Sequence, residues 1–215
     1  MTQTSVLRLA GLSIVIGAIV FIVMLLLSTI LFPSTNPAAY AKNPLFVIAE
    51  LLSAVGVALV LLGLPILLVA RSEGFGLIGL VGIALLFVTG LMFGIALPLA
   101  SAVIVPLVPS QAFSSTFGSS PPTGIFVFFI LGTVLSVIAT ALLAYAVFQS
   151  RMAPRWVAYL FGASAVLGVI GFFVGGPGGG NVLTALIGNL SPMLGLAAVG
   201  WLGYELWTGR RMLSA

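Results

Sequence analysis

Read for hydrophobic and polar positions alone, the chain is six long apolar runs separated by short stretches rich in Gly, Pro, Ser, Asn and Arg. The runs are Leu9–Phe32, Leu45–Ala70, Phe75–Leu97, Ile125–Phe148, Val157–Val174 and Val182–Leu206. A helix crosses ~30 Å of hydrocarbon in about 20 residues, and every run is close to or above that length. In lipid a helix satisfies its own backbone hydrogen bonds. Strands of a membrane barrel would instead alternate in polarity over ~10 residues, whereas these runs are continuous. The expected fold is all-α: a polytopic integral membrane protein, built as a six-transmembrane-helix bundle in a single transmembrane domain over residues 1–215. The first run is too long for the ~7–15 residue apolar core of a signal peptide and is read as a retained helix.

Charge then sets the threading. Basic residues concentrate on the cytoplasmic side of membrane proteins. With the N-terminus inside, Arg8, Arg71, Arg151, Arg155, Arg210 and Arg211 all fall on that side, and only Lys42 falls outside. The expectation is a multi-pass protein of the cell membrane with the N-terminus and C-terminus cytoplasmic. Short connections at 71–74 and 150–154 read as tight turns between antiparallel neighbours. The longest connection, Pro98–Thr123, carries no charge and contains Val103-Ile-Val-Pro-Leu-Val108, which suits a short interfacial or re-entrant helix.

The runs also hold a faint internal likeness. Ala10–Val23 aligns without gaps on Phe161–Val174, pairing Gly11, Ser13 and Gly17 with Gly162, Ser164 and Gly168. Gly76 and Gly82 repeat the glycine spacing, which points to three tandem helical hairpins. That layout is shared by mitochondrial-type carriers, but their Pro-x-acid-x-x-base signature is missing, since Pro65 is followed by Ile-Leu-Leu-Val.

Composition narrows the chemistry. Of 215 residues, 61% are hydrophobic and 5% charged, where a soluble domain carries about 25% charged residues. The net charge of +4 is not gathered into the patch that nucleic acid requires. The sequence contains no Cys, His or Asp, and its only acids are Glu50, Glu73 and Glu205. These absences remove disulfides and thiolate chemistry, imidazole-ligated metals, and serine–histidine or paired-aspartate hydrolysis. The expectation is a protein without enzymatic activity, metal or cofactor.

Few residues remain as candidates. Glu50 lies about six residues into the second run, where an ionised carboxylate costs a few kcal/mol unless paired or hydrated. In the sixth run, Pro192 removes a backbone donor beside Asn189 and Ser191. A broken helix near a carboxylate is a way to build a transport site; the plainer reading is a proline kink with Asn189 bonding across to another helix. Gly90 with Gly94, and Gly171 with Gly175, each place two small residues one turn apart, which lets helices approach closely. Trp156, Tyr159, Trp201, Tyr204 and Trp207 read as an aromatic belt at the inner ends of the last two helices, with Glu205 beside the terminal arginines.

Two functions fit. One is a scaffold or accessory subunit acting through helix–helix contacts, with the lipid bilayer and a membrane-protein partner or homo-oligomer as its company. The alternative is a small permease or channel-like transporter with an outer-leaflet site around Glu50 and the Pro192-broken helix, for a hydrophobic or cationic substrate. Sparse polarity within the runs favours the first, because hydrophilic substrates need a polar lining.

Overall fold

In the computed structural model, residues 3–32, 43–103, 107, 123–150, 153–175 and 182–209 are described, and among them there is no strand. Helix α1 is Gln3–Leu31 and α2 is Pro44–Thr89, continued by a π-helical stretch Gly90–Ala96 and by α3, Leu97–Val103. Then come α4 (Thr123–Ser150), α5 (Arg155–Gly175) and α6 (Val182–Thr208). Five stretches are long and apolar enough to cross a bilayer: Ser5–Leu31, Pro44–Ala70, Gly74–Val103, Phe126–Ser150 and Arg155–Phe173. Helix α6 adds 27 residues of similar length. Five to six long apolar helices make a set compatible with a membrane helical bundle.

Local chemistry explains the boundaries. Asn43 has extended backbone angles and its side-chain oxygen accepts from the Leu45 N–H at 3.0 Å, with Pro44 in the first turn. An Asn cap followed by Pro satisfies one free helix N–H and spends none where Pro lacks one. The turn expected at 71–74 lies slightly later. The backbone stays helical through these residues and breaks at Gly76, with φ 58° and ψ −173°. That corner requires a residue without Cβ. It reverses the chain, because Gly90 meets Leu61 and Gly94 meets Val57 across the two arms. Pro65 sits within the first arm, and Gly76 is the one residue of α2 with non-helical angles. The connection expected to start at Pro98 starts later, since helix continues to Val103; the short helix anticipated over 103–108 lies outside the described residues except at Val103 and Leu107.

The arms and helices close into a ring. Helix α1 packs against the first arm of α2 and against α6; the second arm packs against the first and against α4; α4 lies on α5, and α5 on α6. Small residues set the closest approaches. A Cβ on Gly17 would come within 2.4 Å of the Gly56 carbonyl oxygen, and one on Gly11 within 2.5 Å of the Gly203 carbonyl oxygen. Helices with apolar outsides associate through van der Waals fit and hydrogen bonds, so backbone-to-backbone approach replaces a hydrophobic driving force. Hydroxyls add to it: Ser13 Oγ donates to the Leu59 carbonyl at 2.7 Å, and Ser164 Oγ donates to the Ser191 carbonyl at 2.7 Å. These two serines are aligned in the internal likeness and make the same bond to the helix that follows. Their neighbours differ, because Gly11 is clamped while a Cβ on Gly162 would meet nothing within 4 Å.

Packing is uneven along the ring axis. Among the described residues, the large side chains that are almost wholly buried are Ile14, Leu64, Leu67, Leu143, Val147, Val157, Phe161, Val199, Leu202 and Leu206. They belong to the N-terminal halves of α1 and α5 and the C-terminal halves of the first arm, α4 and α6. In an up-and-down ring these halves share one end, the end that carries Arg8 and Arg155. The outside is apolar as well, with Leu62, Leu77 and Phe173 between 69% and 79% exposed. Such a surface suggests a membrane-embedded protein.

Candidate functional site

The other end of the ring is hollow. A cavity of about 490 Å³ lies between the helices, within the ~300–1,000 Å³ range of small-molecule sites. Every segment of the ring contributes wall. Phe21 and Leu25 come from α1, Val57 to Leu64 from the first arm, and Leu86, Thr89 and Phe93 from the second arm and its π-helical continuation. Helix α4 supplies Phe126, Phe129, Thr133, Ser136 and Thr140; α5 supplies Ser164, Gly168 and Phe172; α6 supplies Gly188, Asn189, Ser191 and Pro192. The lining is mostly apolar, and none of these lining residues carries a charge.

Aromatic rings form part of the wall. Gly132 leaves the groove into which the Phe93 ring fits, since a Cβ there would lie 2.4 Å from Phe93 Cζ. Phe93 then stacks on Phe129 at 5.9 Å and meets Phe128 edge-on at 5.7 Å. Phe93 belongs to the π-helical stretch, a wider turn that is rare and often found at functional sites.

The polar groups cluster on α4, α5 and α6, and most are already committed. Thr89 Oγ1 donates to the Leu86 carbonyl at 3.1 Å, and Thr140 Oγ1 to the Ser136 carbonyl at 2.9 Å. Ser164 and Ser191 each donate to the other's carbonyl, at 2.7 and 2.8 Å, which pins α5 to α6. Asn189 Nδ2 donates to Thr29 Oγ1 at 2.7 Å, and Thr29 passes its own proton to the Leu25 carbonyl at 2.6 Å. The Thr29 hydrogen is therefore used, so the group facing it must be a donor, and this fixes the orientation of the Asn189 amide. The carbonyl that loses its helical donor to Pro192, four residues back, is that of Gly188. Gly188 itself opens onto space, since a Cβ there would meet nothing within 4 Å.

The residues singled out in the sequence divide accordingly. Asn189 and Ser191 both line the cavity. Glu50 does not: it lies in the second turn of α2, half-buried, outside the lining set. Of the expected site around Glu50 and the broken helix, the lining holds the Asn189 and Ser191 part. Gly90 and Gly94 pack on Leu61 and Val57, and Gly171 faces the Gly188 backbone, all within the chain. Gly175 ends α5, and its packing lies outside the described residues. Trp156, Trp201, Tyr204 and Trp207 form a continuous contact series with ring centroids 4.6, 5.2 and 6.1 Å apart. Glu205 is 6% exposed and accepts from Trp201 Nε1 at 3.2 Å, which ties it into the helix packing.

The sequence reading missed Thr29, Phe93, Thr133 and Ser136. Thr133, Ser136 and Thr140 had a legible signal: hydroxyls at i, i+3 and i+7 share one face of a helix. Thr29 and Phe93 had none, because each matters through a partner far away in the chain. Comparison with protein families, curated proteins and solved structures found no match.

Proposed function

We propose that the chain is a six-span protein of the cell membrane, with both termini cytoplasmic, that takes a largely apolar small molecule into the outer half of its helical ring. The observation that carries this is the cavity: walled by every helix, apolar apart from one polar side, and set away from the end that carries Arg8 and Arg155. A packed inner end beneath an open outer end is the arrangement of an outward-facing permease-type binding site. Apolar cargo needs little polar lining, so the scarcity of polar residues ceases to count against transport. A cationic cargo is disfavoured, because Glu50 stands apart from the cavity. A scaffold role is the weaker reading, since Gly90, Gly94 and Gly171 are used on neighbours within the chain.

The test is photolabelling in proteoliposomes with a small neutral aryl diazirine, followed by adduct mapping. Adducts are expected on Phe129, Thr133 and Ser136, which line the cavity, at levels above those on the exposed faces of the same helix. Gly188→Leu places a large side chain into the open space. It should suppress the cavity adducts and leave those at the outward-facing Val127 and Val134 unchanged. Equal labelling of the variant and the parent at the cavity positions would refute the reading.

A further inference from the structure

Resting on that reading, we infer that the cavity selects a molecule with an uncharged hydroxyl or amide head on an apolar body, and that Asn189, Thr133 and Ser136 hold the head. Thr89, Thr140, Ser164 and Ser191 spend their hydroxyl protons on backbone carbonyls. Asn189 spends one N–H on Thr29, which leaves its second N–H and its Oδ1 without a partner among the described residues. The hydroxyls of Thr133 and Ser136, one turn apart on α4, line the same cavity and bond no partner among the described residues. No side-chain oxygen or nitrogen among the described residues is both sealed from solvent and unbonded. The free Asn189 oxygen and the two hydroxyls therefore keep open surface, and the cavity supplies it.

Their chemistry defines the head. The amide oxygen accepts, the spare amide N–H donates, and the hydroxyls do either, so together they match a group that both donates and accepts. A hydroxyl or primary amide is such a group. A carboxylate or ammonium is not, because no lining side chain carries the opposite charge and an unpaired ion is costly in an apolar cavity. The remaining wall, including Phe93, Phe126 and Phe129, takes the body. The Asn189 amide is held in register by Thr29, which does not line the cavity and acts as a positioning residue.

The experiment compares four diazirine-bearing probes of equal chain length in proteoliposomes: a fatty alcohol, the parent hydrocarbon, a fatty amine and a fatty acid. Labelling is mapped to α4 and α6 and normalised to lipid-facing positions. The alcohol should exceed the hydrocarbon in the cavity by about fivefold, as one net hydrogen bond implies. Ser136→Ala removes a hydroxyl that bonds no other described residue and should remove a substantial part of that excess while leaving hydrocarbon labelling unchanged. Asn189→Asp should shift the preference from alcohol to amine. Thr29→Val should weaken the alcohol preference without altering the wall. Equal labelling by alcohol and hydrocarbon, or strongest labelling by the amine or acid in the parent protein, overturns the head-group assignment while the cavity reading stands. Labelling of the cavity by none of the four overturns both.

Discussion

The seam between α1 and α6 closes the ring, and Gly11 is where it can be tested. A Cβ at Gly11 would lie 2.5 Å from both the Gly203 carbonyl oxygen and the Trp207 nitrogen, and 3.0 Å from Trp207 Cα. Ordinary contact begins at 3.4 Å, so a 2.5 Å approach is about 0.9 Å too close. All three obstructing atoms are backbone, and no rotamer change relieves them. The helices must separate by most of that distance, and a gap of 0.5–1 Å forfeits roughly a quarter to a half of each dispersion contact along the seam. Overpacking of this kind costs about 1–3 kcal/mol. The gain in helix propensity from Gly to Ala offsets it by at most about 1 kcal/mol, so Gly11→Ala should destabilise. Gly162 is the internal control: it aligns with Gly11, yet a Cβ there meets nothing within 4 Å. Gly162→Ala should be neutral or slightly stabilising. Unfolding of both variants by titrating SDS into mixed micelles, followed by far-UV circular dichroism and tryptophan fluorescence, measures the difference. A Gly11→Ala protein as stable as the parent, or equal losses in the two variants, would refute the ring closure described here.

Other outcomes follow from the same structure. Phe161 is wholly buried at the packed end, and Phe161→Ala should cost about 3–5 kcal/mol in the same SDS titration. Ser13→Ala and Ser164→Ala each remove one interhelical bond and should cost about 0.6 kcal/mol, the average for such bonds in a membrane bundle, again read from the unfolding midpoint. Glu50→Gln should leave alcohol-probe labelling of the cavity within twofold of the parent, because Glu50 is not in the wall. The sequence has no Cys, so single cysteines report threading directly. A membrane-impermeant maleimide added to intact cells should label Lys42→Cys and Ser115→Cys and spare Ser150→Cys; the reverse pattern would invert the topology.

The sequence by itself determined the class of fold, the approximate helix ends and the side-chain types that are missing. These are local properties: run length, the Asn43–Pro44 start, and the lack of Cys, His and Asp are readable without knowing what touches what. Asn189 and Ser191 were legible for a similar reason, as polar residues beside a proline in an apolar run. Only the tertiary structure decided the rest. Glu50 looked like a partner for Asn189 because both lie near the same ends of their helices, but depth along a helix says nothing about which way its face turns in a ring. The Thr29–Asn189 bond joins residues 160 apart in the chain, and the Gly132 groove exists only because Phe93 fills it. The cavity is the clearest case. It is space left between the helices at one end while large side chains fill the other, and empty volume is a property of the packing, with no residue to mark it.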